Sequence, residues 1–148
     1  MLARRVTRPV KWLVVAPMVL TLVGVFVAPM AFARIVNNTI DPVAIVADNG
    51  RHIIVTGPLG CTAGEKAYLE VTVTQRATGA VAEGRTQITC TGEILPGDIL
   101  QWEVHAATQG KDTFGEGPAT AVAIARTSER GHITDAHQWL VNITLVGD

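Results

Sequence analysis

The sequence predicts an all-β domain of about seven strands arranged as an antiparallel β-sandwich. Three observations carry this expectation. Short β-branched runs recur at turn spacings of about 8–12 residues. Apolar and polar residues alternate with period two in the best-formed runs. After residue 33 the chain shows almost no helical periodicity.

The first strand is Val43-Ala-Ile-Val-Ala47, ended by Asp48-Asn49-Gly50, a hairpin signal because Asn and Gly accept positive φ. Residues 51–56 make the second strand, closed by Gly57-Pro58, with Cys61 just beyond. The third, residues 67–75, alternates most clearly: Leu69, Val71 and Val73 face a core, and Tyr68, Glu70, Thr72 and Thr74 face water. Ala77-Thr78-Gly79 turns the chain into a fourth strand, residues 80–90, bent at Gly84. The fifth, residues 99–105, puts Leu100, Trp102 and Val104 on one face. Residues 109–118 hold three glycines and a proline and read as a loop. In the sixth strand, residues 119–126, alternate alanines leave room for a second layer to approach. Residues 127–135 read as a polar loop, and residues 136–146 as the last strand, with Trp139, Val141, Ile143 and Leu145 aligned. Residues 34–42 form a short lead-in. The strand at residues 43–47 is expected at an edge, where it could pair with another chain.

The amino terminus has the pattern of an export signal. Arg4, Arg5, Arg8 and Lys11 precede 22 uncharged residues, 12–33, which end in Ala31-Phe32-Ala33, a small-x-small cleavage pattern. The division expected is a signal peptide at residues 1–33 and a β-sandwich domain at residues 34–148. The apolar run is also long enough to span a bilayer as a retained anchor, although Pro17 and Pro29 weaken a continuous helix there. Val6-Thr7 after Arg4-Arg5 fits a twin-arginine signal poorly, so the general secretory route is expected. The resulting location is secreted or extracellular, with a membrane-anchored domain as the alternative.

Cleavage would remove four basic residues and no acid, leaving eight basic against thirteen acidic and a net charge of −5. No basic run follows Lys11. Nucleic acid is therefore not an expected partner, because phosphate contacts need clustered Lys and Arg. A membrane is expected only if the leader is retained. Cys61 and Cys90 both lie in the exported part, where an isolated pair most simply forms a disulfide. A metal pair or a nucleophilic thiol would need partners at ligand spacing, and no Cys-x-x-Cys or nearby His supplies them.

Few residues suggest chemistry. His132, Asp135 and His137 lie within six residues and are the metal candidates, since imidazole and carboxylate suit Zn²⁺. The plain alternative is a polar loop. His52 and His105 are expected on solvent faces. Ser128 is the single serine after the leader, without a Gly-x-Ser-x-Gly around it, and a Ser128–His132 pair is a poor start for a hydrolase. Glu83, Glu93, Glu103 and Glu116 show no paired-carboxylate pattern. Trp102 and Trp139 align with aliphatic residues and are expected in the core. Phe114, flanked by glycines, is the candidate binding anchor, with packing onto the domain as the alternative. Asn37-Asn38-Thr39 and Asn142-Ile143-Thr144 fit the glycosylation pattern, which matters only in a host with that machinery.

The strand pattern resembles the immunoglobulin-like sandwich, with a departure: Trp102 follows both cysteines rather than lying between them. A wider resemblance covers most of residues 41–147. It rests on Asp41-Pro42, a Gly-rich stretch ending at Cys61, a Val-Thr-Val strand, Cys90-Thr91-Gly92 with Trp102 beyond, and an Ala-rich strand before a closing strand of Val-Thr-Leu-Val type. These features are similar to small exported proteins of high-GC Gram-positive bacteria with no assigned activity. The resemblance implies an exported, disulfide-containing β-sandwich and no active site. The function expected is a non-enzymatic binding or interaction module at the cell exterior, without a cofactor, whose partner is an extracellular protein or small ligand. Residues 91–98 and 109–118 are the expected contact loops. The alternatives are a small-molecule carrier, which wants a deep apolar cleft, and a metal-dependent enzyme at residues 132–137.

Overall fold

A computed structural model describes residues 35–36, 38–92 and 99–148. The expected signal peptide and the Asn37 glycosylation pattern therefore lie outside the described residues, as do 93–98 of the first contact loop. The described chain is all-β: β1 (Ile35–Val36), β2 (Val43–Ala47), β3 (His52–Cys61), β4 (Lys66–Gln75), β5 (Ala80–Thr89), β6 (Leu100–Thr108), β7 (Gly117–Glu129) and β8 (His132–Gly147). No helix among the described residues is long and apolar enough to cross a membrane.

The strands close into a barrel instead of two separate sheets. The hydrogen-bonded order runs β3, β2, β8, β7, β4, β5, β6, and β6 returns to β3. Closure depends on β3, which pairs with β2 around Ile53 on one side and with β6 from His52 to Leu59 on the other. β2 and β8 run parallel; every other neighbouring pair is antiparallel. The two-residue β1 continues the β2 side of β3, with Ile35 opposite Cys61. The sandwich expectation is corrected here, and the reason is geometric. A strand shows the same in–out alternation in a sandwich or a barrel, and the two differ only in whether the end strands meet. The same closure removes the expected edge at residues 43–47, since β2 lies between β3 and β8.

Two boundaries also shift. Gly57-Pro58 does not end β3. A side chain on Gly57 would lie 2.6 Å from the Trp102 ring and 2.3 Å from the Thr39 carbonyl, so the glycine marks a close approach of the indole to the backbone. Trp102 Nε1 then donates to the Pro58 carbonyl at 3.2 Å. Residues 127–135 are not a loop but the far part of a long hairpin. Its two-residue turn is Arg130-Gly131, both at positive φ (50° and 84°), as a tight hairpin turn requires. The register slips between Thr127 and Ser128, and Thr134 donates to the buried Thr127 hydroxyl at 2.9 Å.

The inner faces fill the barrel. Leu69, Val71 and Val73 on β4 stand opposite Ala125, Ala123 and Ala121 on β7, large against small across the ladder. Trp102, Val104, Ile53, Val55, Ile143 and Leu145 complete a fully buried core. Trp139 is half-buried against it. The β5–β6 ladder is only two pairs long, at Ala82 and Glu83. Beside it, a Cβ on Gly84 would lie 2.5 Å from Val104 and 2.6 Å from the His105 carbonyl. Gly84 thus lets the two strands cross in contact where they part.

Candidate functional site

Cys61 and Cys90 form the expected disulfide, which joins the end of β3 to the residue after β5, beside the start of β6. It spans the end of the barrel where the β5–β6 ladder has ceased. Such a bond fits an oxidising compartment.

The residues 132–137 lie on a strand, and this decides what they can do. Asp135 and His137 occupy the inner rim opposite Thr127 and Ala125, whereas His132 stands exposed beside the turn opposite Glu129. Asp135 Oδ2 accepts from the Ile35 amide at 3.1 Å and Oδ1 from the Ala136 amide at 2.8 Å. His137 Nε2 lies 3.4 Å from Asp135 Oδ2, and its Nδ1 lies 3.5 Å from Asn38 Nδ2. The pair thus holds the lead-in segment to the barrel rim. Among the described residues no group of three His, Cys, Asp or Glu side chains is placed to hold a metal ion.

Phe114 is not an exposed anchor. It is 5% exposed and plugs the opposite end of the barrel, where its amide donates to the Gly50 carbonyl at 3.0 Å. Buried Gln75 clamps the neighbouring residue, donating to the Gly115 carbonyl and accepting from the Gly115 amide, both at 2.8 Å. The loop is thus pinned at Phe114 and Gly115, while residues 109–113 and 116 stay exposed. His52 pairs with Asp48 at 3.0 Å and His105 with Glu103 at 2.7 Å, both on the surface as expected. Asn142 lies exposed on β8, where Thr120 donates to its side chain at 3.3 Å.

Among the described residues a concave surface lies on the outside of the barrel. A groove of about 560 Å³ crosses β5, β4 and β7 and ends beneath the β7–β8 turn. Its size falls in the range of small-ligand sites. Tyr68, 45% exposed, stands opposite Arg126. Ile124 occupies the next outward row, opposite Glu70, whose Oε1 accepts from Arg85 at 3.1 Å. Ile133, 70% exposed, overhangs one end. Among the described residues the Arg126 side chain makes no ion pair or hydrogen bond. Sequence reasoning assigned Tyr68 and Glu70 to a solvent face without seeing the groove, because its walls come from strands about sixty residues apart. One signal was present: Val122 and Ile124 make the outward face of β7 apolar as well as the inward one.

No protein-family model matches the chain, and no curated protein is detectably similar to it.

Proposed function

We propose that this chain is an exported, non-enzymatic β-barrel that acts as a binding module at the cell exterior, with the Tyr68–Arg126 groove as its contact site. One observation carries the reading. The inward positions of the barrel are filled, so recognition chemistry is offered on the outer wall, where an apolar floor and an unpaired guanidinium share one groove. The disulfide and the signal-like leader support export. The resemblance to small exported proteins of high-GC Gram-positive bacteria, read from the strand and cysteine pattern, agrees with it.

Two measurements test the two halves of this reading. Intact mass of the protein from culture medium should give a species beginning at Arg34 and two hydrogens lighter than its reduced form. A full-length membrane species or free thiols would overturn the secreted, disulfide-bonded reading. Fluorescently labelled protein should be retained on whole cells of the native host, and the double variant Arg126→Glu/Ile133→Asp should not. Equal retention of both would remove the groove from the function.

A further inference from the structure

We propose that the groove binds an apolar carboxylate, a ligand with one anionic head and an alkyl or aryl tail. The inference rests on the binding reading above and names the chemistry that the site selects.

The head follows from the charges. Arg85 is held by Glu70, so the pair contributes no net charge. Arg126 remains, lining a groove whose one acid, Glu70, is already taken by Arg85, and a carboxylate matches its planar fork of donors two bonds at a time. Lys66 lies one step along the same face of β4, opposite Ser128, and adds positive potential. This spot stands out on a domain whose net charge without the leader is −5. A single unpaired guanidinium suits a monoanion better than a polyphosphate.

The tail follows from the walls. Exposed Ile133 and the Tyr68 ring, with half-buried Ile124, are apolar surface lining the same groove as Arg126. Burying them on a ligand recovers hydrophobic free energy that water now denies. A saccharide is the weaker fit. Sugar platforms use several exposed rings, and among the described residues Tyr68 is the exposed aromatic.

The test is calorimetric titration of the disulfide-bonded protein with sodium decanoate below its micelle concentration, with 1-decanol as the uncharged probe. Decanoate should bind saturably at one site. Arg126→Gln should weaken it by about 10- to 100-fold, the loss expected for a hydrogen bond to a charged group. Arg126→Lys should recover part of the affinity. Decanol should bind more weakly than decanoate and be indifferent to Arg126→Gln. Arg126 is exposed and unpaired, so unchanged circular dichroism is expected for both variants. Absent saturation by decanoate, equal affinity for decanol, or an unchanged Arg126→Gln variant would each overturn the proposal. If decanoate fails while the Arg126→Glu/Ile133→Asp variant still loses cell retention, the carboxylate inference falls and the binding reading stands.

Discussion

The two ends of the barrel are closed by different physics. At one end the loop at residues 109–116 turns in only at Phe114 and Gly115, and closure comes from a buried ring and a side-chain amide that copies a backbone hydrogen-bond pair. Phe114 fills the opening, and Gln75 satisfies both polar groups of Gly115. At the other end the β5–β6 ladder has stopped, and a covalent bridge from Cys61 to Cys90 stands beside the gap. Polar contacts from Asp135 and His137 hold the lead-in segment on the rim there. The first end is closed by packing that acts in the folded state. The second is held by a bond that acts largely on the unfolded chain.

The largest expected effect is at the packed end. Phe114→Ala removes a buried aromatic and leaves a cavity that the fixed strand ends cannot collapse into. A loss of about 3–5 kcal/mol is expected, read as a fall in the urea midpoint with the disulfide intact. A loss under about 1 kcal/mol would show that the loop rests on the barrel without sealing it.

The disulfide should come next. A bridge between residues 29 apart in sequence contributes about 3–4 kcal/mol in the chain-entropy model. Cys61→Ser/Cys90→Ser should lose a similar amount. The pattern of hydrogen exchange sharpens the contrast: amides of residues 84–89 should gain exchange most, because that half of β5 is paired with β4 alone among the described strands. Uniform acceleration would mean that the bridge does not selectively protect the gap.

Gln75→Ala is a smaller change at the packed end. It leaves the Gly115 amide and carbonyl without their partner and frees Thr78, which donates to Gln75 Oε1 at 3.0 Å. About 1–3 kcal/mol is expected. The loss should be less than additive with Phe114→Ala, since both act on the same loop. Full additivity in a double-mutant cycle would separate the clamp from the plug.

Much of this architecture was legible in the chain, and the limits have a common cause. Period-two alternation is local, so β4 and β6 and their inward residues could be read directly, as could the Asp48-Asn49-Gly50 turn. The disulfide followed from there being two cysteines. Closure was not legible, because which strands meet is a non-local fact and β3 alternates alike with one neighbour or two. Gly57-Pro58 misled because close approach to an indole and the end of a strand call for the same small residue. The Arg130-Gly131 turn was missed because arginine carries no turn signal, and the polar residues beside it still alternate. His132, Asp135 and His137 stand close in sequence as one candidate metal set, yet strand geometry turns Asp135 and His137 toward Ile35 and Asn38 and leaves His132 at the turn. The groove combines outward residues that each look like ordinary solvated positions. Its one local trace was the apolar outer face of β7.

The smallest effect is expected at the rim, and it separates a local tether from a structural support. Asp135 holds the Ile35 amide across a hundred residues of sequence, and Ile35 itself is buried. Asp135→Ala removes the acceptor but leaves the apolar contacts of Ile35 in place. A loss of about 1 kcal/mol is therefore expected in global stability. The local consequence should exceed the global one, because β1 contributes only two residue pairs to β3 and is otherwise held by the burial of Ile35. Exchange at the Ile35 amide should rise by an order of magnitude or more while the β4 and β7 amides stay protected. If Ile35 stays protected in Asp135→Ala, apolar burial alone holds the lead-in strand, and the disulfide end is closed by the Cys61–Cys90 bridge without help from the polar rim.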